Sequence, residues 1–63
     1  MDALEPIREK LIKVVYVDSG EVKIRKGRLI AFDSSFITVR TFDRTYAIQR
    51  GQIIEVKTLE GKL

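Results

Sequence analysis

The chain changes its hydrophobic period once. Over the first dozen residues Leu4, Ile7, Leu11 and Ile12 fall on one stripe, with Glu5, Arg8, Glu9 and Lys10 opposite, and this spacing predicts a short amphipathic α-helix over 3–12. Asp2 and Glu5 fit a capping box. Alternatively, Glu5 is the cap and Pro6 takes the first helical position, where its missing N–H is not needed. From Lys13 onward the period is two. Val15 and Val17 alternate with Val14 and Tyr16, Asp18-Ser19-Gly20 supplies turn chemistry, and Val22 and Ile24 alternate with Lys23 and Arg25, so this region reads as a hairpin.

Gly27 interrupts the next run, 24–32. A glycine inside a strand marks a bulge or a sharp bend, so that one long strand can serve two sheets. Asp33-Ser34-Ser35 turns the chain into the β-branched and aromatic run 36–42, and Asp43-Arg44 forms a tip before the strand 45–49. Arg50-Gly51-Gln52 breaks the pattern, 53–57 is the last strand, and 58–63 reads as a frayed tail. A helix followed by five short antiparallel strands, one strongly bent, most simply forms a small SH3-like barrel over 13–57, which removes most exposed edge groups. No repeat, linker or low-complexity stretch divides 1–63, so one domain accounts for the chain.

Composition narrows the chemistry. The 63 residues contain no His, no Cys and no Trp, which excludes zinc modules, thiol nucleophiles, imidazole bases and disulfide staples. With 44% hydrophobic and 33% charged residues the chain is too apolar for disorder and too interrupted for a spanning helix. Its start lacks the features of a signal peptide, so the expected location is cytoplasmic, with no membrane partner. No paired acid and base, activated nucleophile or glycine-rich phosphate loop is present, and the chain reads as neither an enzyme nor a cofactor or metal carrier.

The formal net charge of +3 matters less than its distribution. Lys23, Arg25, Lys26 and Arg28 form the densest basic stretch, a candidate phosphate patch that a solvated edge strand would also produce. Phe32, Phe36 and Phe42 lie at strand periodicity and read as core or subunit contacts ahead of base-stacking platforms. If the last two strands were unpaired, Tyr46, Ile48, Ile53 and Ile54 would be exposed along them, so pairing between subunits is expected.

Two segments carry a resemblance. The first, Gly27-Arg28-Leu29-Ile30-Ala31-Phe32-Asp33-Ser34-Ser35-Phe36-Ile37-Thr38-Val39, looks like the first Sm motif, and Tyr46-Ala47-Ile48-Gln49-Arg50-Gly51-Gln52-Ile53-Ile54-Glu55-Val56 is similar to the second. The spacing of Arg50-Gly51 to the final strand is closer to the bacterial Hfq branch. The resemblance implies a helix and a bent five-stranded Sm-fold barrel, assembled through the fourth and fifth strands into a ring of about five to eight copies. It also implies single-stranded RNA as partner, bound around the pore by stacking and cationic support. Carried onto this sequence, the RNA contacts are Arg50, Gly51, Asp33, Ser35, Phe36 and Gln49.

The pocket departs from the family pattern at three positions. The stacking position two after the aspartate is Ser35, the uracil-reading asparagine is replaced by Ile37, and Gly51 stands where Hfq has histidine. A shifted turn would bring Phe36 into the stacking role. Two other classes compete with the RNA-binding ring. A small DNA-binding chromatin-type barrel would need a broader basic face, and a protein-interaction barrel would need a leftover apolar patch.

Overall fold

The computed structural model describes residues 3–59, and within them the chain is mainly β. A 3-10 turn at Glu5–Ile7 precedes five strands: β1 (Leu11–Asp18), β2 (Glu21–Phe32), β3 (Phe36–Arg40), β4 (Thr45–Gln49) and β5 (Ile53–Thr58). A second 3-10 turn, Arg50–Gln52, links β4 to β5. The strands form one antiparallel sheet in the order β4-β3-β2-β1-β5. It is an open sheet whose edges are β4 and β5. Among the described residues no helix is long and apolar enough to cross a membrane.

The N-terminal helix expected over 3–12 is not formed. Pro6 sits in the first turn, and Glu9 adopts φ 69, a left-handed conformation that cannot continue a right-handed helix. The backbone goes to the sheet instead: the Glu9 N–H donates to the Leu29 carbonyl at 2.7 Å and the Leu29 N–H to the Lys10 carbonyl at 3.0 Å. Leu11 and Ile12 satisfy both periods, and tertiary pairing takes them into β1. Of the helical stripe, Ile12 enters the core from β1, Leu4 and Ile7 pack against it from the turn, and Leu11 is exposed. The 3-10 turn is preceded by Leu4 with no side-chain cap, and Asp2, the other proposed cap, lies outside the described residues.

The first hairpin follows from its turn. Asp18 pairs with Glu21, and the two loop residues Ser19 and Gly20 have φ of 53° and 78°. Two left-handed residues match the right-handed twist of the flanking strands. β2 then changes partner: Glu21–Arg28 pair with β1, and the ladder to β3 begins at Arg28 opposite Arg40. At this handover Gly27 lies against β3, and a Cβ placed there would sit 2.5 Å from the Arg40 carbonyl oxygen and 2.9 Å from Val39. The glycine therefore permits a close backbone approach within one sheet. The bulge expected at Gly27 lies beyond it, in the register shift between Leu29 and Ala31. That shift turns Phe32 to the inner face, where it packs against the core.

Ile12, Val14 and Tyr16 of β1, Leu29 of β2, Ile37 and Val39 of β3 and Ile48 of β4 are buried together. Ile53 and Val56 of β5 and Tyr46 of β4 pack on the same cluster, so strands at opposite edges meet over one core and the sheet must curl. Fully burying each such aliphatic contributes about 1.5–3 kcal/mol. The exposed ion pairs Arg8–Glu5, Lys23–Asp18 and Lys57–Glu55 add little by comparison.

Several apolar expectations change. Of the four edge side chains, Ile48 is core, Tyr46 and Ile53 are half-buried, and only Ile54 is exposed. Phe42 is not core: β3 ends at Arg40, the Thr41 N–H and hydroxyl bond the Arg44 carbonyl, and Phe42 stands in solvent on that tip. Thr58, assigned to the tail, is the last residue of β5, and 60–63 lie outside the described residues.

The two glycines give a paired test. Gly27→Ala should destabilise the fold by about 1–3 kcal/mol, because β3 backbone must move to admit the methyl group. Gly51→Ala meets nothing within 4 Å and should be neutral or slightly stabilising. Urea unfolding midpoints of the two variants measure the difference, and equal midpoints would reject the close approach as the reason for Gly27.

Candidate nucleic-acid interface

The β2–β3 turn is built by one carboxylate. Asp33 Oδ1 accepts the backbone N–H groups of Ser35 and Phe36, each at 2.8 Å, and the Asp33 N–H donates to the Phe36 carbonyl at 2.9 Å. The aspartate thus satisfies two N–H groups that a tight turn would otherwise leave to solvent. These two bonds, with the nearby Arg50 charge assisting, hold the Asp33 carboxyl below the usual aspartate range against a weaker opposing effect of desolvation.

The turn is also where the two separated sequence segments meet. Arg50, at the start of the 3-10 turn after β4, donates from Nη1 to the Asp33 carbonyl at 2.7 Å, and its backbone N–H donates to the Ser35 carbonyl at 2.9 Å. Gln49 lies directly opposite Phe36 in the β3–β4 ladder. Asp33, Ser35, Phe36, Gln49, Arg50 and Gly51 therefore cluster at one end of the β3–β4 hairpin. Arg44 is at the other end, beyond the Arg40–Thr45 pair.

Exposure separates their possible roles. Ser35, Gln49 and Gly51 are exposed, Phe36 is 41% exposed, and Arg50 is half-buried. A guanidinium has a flat cationic face and five donors, and its bond to Asp33 fixes where that face lies beside the Ser35 and Phe36 turn. Ile37 is fully buried between β2 and β4 and is unavailable to any ligand. Gly51 has no positive φ, so the backbone does not require glycine there, and the space beside it is open.

The basic stretch on β2 does not form one patch. Arg25 lies opposite the buried Val14 and turns to the concave side with Lys23, whereas Lys26 and Arg28 point to the outer face. Lys23 pairs with Asp18 at 3.3 Å. Arg25 lies over the Tyr46 ring at 4.8 Å from its centroid and donates to the Ile24 carbonyl, while its Nε is buried without a partner. Arg28 donates to the Glu9 carbonyl. The Arg25–Tyr46 stack borders a cleft of about 300 Å³ between β1 and β4, with Tyr16, Asp18, Gln49 and Gln52 also on its walls. Sequence reasoning missed this cleft, which depends on the curl of the sheet. Among the described residues no cluster of three or more acidic, His or Cys side chains could hold a metal ion.

The lowered Asp33 pKa fixes a pH dependence. A group whose folded pKa lies below its unfolded value stabilises fully above the unfolded value, about 3.9, and that contribution is lost as pH falls through the folded value. Asp33→Ala should therefore lower the unfolding midpoint at neutral pH, and the gap to the unmodified chain should close in acid below that range. A gap that persists unchanged in strong acid would remove the carboxylate from this role.

No family model, no curated protein and no solved structure matches the chain, so its functional reading rests on its own residues and geometry.

Proposed function

We propose that this chain is an Sm-like protein, an SH3-like barrel subunit that assembles through β4 and β5 into a homo-oligomeric ring and binds single-stranded RNA beside the Asp33 turn. The observation that carries the reading is the contact between Arg50 and the Asp33–Ser35 turn, 17 residues apart in sequence. It joins the Phe-Asp segment to the Arg-Gly segment as an RNA pocket of this family requires. Exposed Phe36 and Gln49 complete the surface, and a single strand offers unstacked bases and phosphates to such a mixture of ring, amide and cation. The chain acts as a binding module without catalysis, and its place is the cytoplasm.

The strand order supports the assembly. β4 and β5 are both edges, each with backbone groups that another strand can pair. Ile54 on β5 is 60% exposed and is the apolar side chain an adjoining subunit would cover.

Light scattering of the eluting protein should give a mass of several 7.3 kDa subunits, and Ile54→Lys should shift it toward monomer while preserving the β-sheet circular-dichroism signal. Ile48→Lys cannot serve here, because it places charge in the core and tests folding. A monomeric wild-type chain at micromolar concentration would refute the ring.

For RNA, Arg50→Ala should weaken binding to labelled oligo-U more than Arg44→Ala, because Arg44 is at the far hairpin tip. Equal small losses in the two titrations would mean diffuse charge attraction alone.

A further inference from the structure

The sheet register brings together cations that are far apart in sequence. Lys13 of β1 lies directly opposite Lys57 of β5 on one side and Lys26 of β2 on the other. All three belong to the outer face, because their neighbours Ile12, Val14 and Val56 turn inward to the core. One row further along the same face, Arg28 lies opposite Arg40. Lys57 reaches Glu55 at 3.7 Å, whereas Lys13, Lys26 and Arg40 make no ion pair among the described residues.

Such a row opposes folding. Like charges directly opposite one another in a sheet repel, and a carboxylate or threonine at Lys13 would relieve two such pairs at once. A multivalent anion laid along the row would offset the same repulsion. Neighbouring strands are about 4.8 Å apart, so the three ammonium groups are spread over roughly 10 Å, about the rise of three stacked nucleotides. On one side the outer row Glu55, Val15 and Ile24 carries an acid and two aliphatics, and on the other Arg28 and Arg40 continue the charge toward β3, so the cations form an elongated band that stops at Glu55. Such a band suits a line of phosphates. Lysine ammonium groups act as point charges with no base-reading geometry, so this contact is indifferent to sequence.

From this register we infer that the Lys57–Lys13–Lys26 row is a second nucleic-acid contact, gripping the phosphate backbone of an RNA strand on the outer face of the sheet, apart from the Arg50 turn. The inference rests on the RNA-binding reading and extends its footprint onto β5, β1 and β2.

The test is a salt titration of labelled oligo-U against the full chain and its Lys13→Thr/Lys26→Thr variant. Each phosphate neutralised on a single strand contributes about 0.7 to the slope of log affinity against log salt, so the variant's slope should be shallower by about 1.4. The same variant should melt at an equal or higher temperature in low salt, and Lys13→Arg/Lys26→Arg should keep the original slope. Arg50→Ala in the same titration reports on the turn separately. An unchanged slope in a folded threonine variant, with the wild-type chain binding RNA, overturns the row and leaves the Arg50 site standing. No RNA binding by the wild-type chain overturns both. If the threonine variant instead loses sedimentation with phosphatidylserine vesicles while its RNA slope is unchanged, the row serves a membrane surface and the inference fails.

Discussion

The close approach of β2 to β3 at Gly27 is the constraint on which the rest of the structure depends. β2 is long enough to pair with two neighbours, but it can leave β1 and take up β3 only if the strands come within backbone contact at the handover. A side chain there would meet the Arg40 carbonyl and Val39. Once the contact is made, the bulge at Ile30 resets the face of the strand, and both Leu29 and Phe32 point inward despite an odd spacing. The curl brings β4 and β5 toward a common core, although they are the two ends of the sheet. Arg25 can then reach Tyr46, although β3 intervenes and Tyr46 stands in the row of Val39 and Leu29, four residues further along β2.

The same curl positions the Arg50 turn. The chain leaves β4 with its amide committed to the Ser35 carbonyl, and Asp33 has already used its carboxylate to shape the turn that presents that carbonyl. The carboxylate and the guanidinium therefore do not meet as a simple ion pair. Asp33 organises backbone donors, and Arg50 bonds the backbone that results. This division leaves a cation beside a turn whose next side chains, Ser35 and Phe36, are exposed.

Much of this arrangement is legible in the sequence, and the failures are physical. The strands at Val14 to Val17, Phe36 to Val39 and Ile53 to Lys57 follow from period two, and the turns at Ser19-Gly20 and Asp33 from residues that favour tight turns. Leu11 and Ile12 fit a helical stripe with Ile7 and a strand alternation with Val14 equally well; sheet pairing at Glu9 and Lys10 decides between them. Phe42 looks like the end of a strand until Thr41 and Asp43 are seen to close a turn beneath it. The two faces of Lys23 and Arg25 against Lys26 and Arg28 were readable from alternation alone. The row linking Lys57, Lys13 and Lys26 was not, because it depends on register across three strands.

The chemistry left at the Asp33 turn sets the balance between the two cationic surfaces. Base discrimination needs donors and acceptors held against a base edge, and Ile37, where the Sm resemblance would put the base-reading residue, is fully buried in the core. Ser35 offers a hydroxyl in place of a ring, so stacking falls to Phe36, which retains part of its surface in the sheet. Under the proposed function, a site with one partly exposed ring and one backbone-anchored arginine gains most of its affinity from phosphates, and affinity of that kind grows with the number of cations aligned along the strand. Under the proposed RNA-binding function, a turn without edge readout gains binding strength by lengthening its contact with the backbone. The outer face of β5, β1 and β2 is where this sheet carries cations in a line.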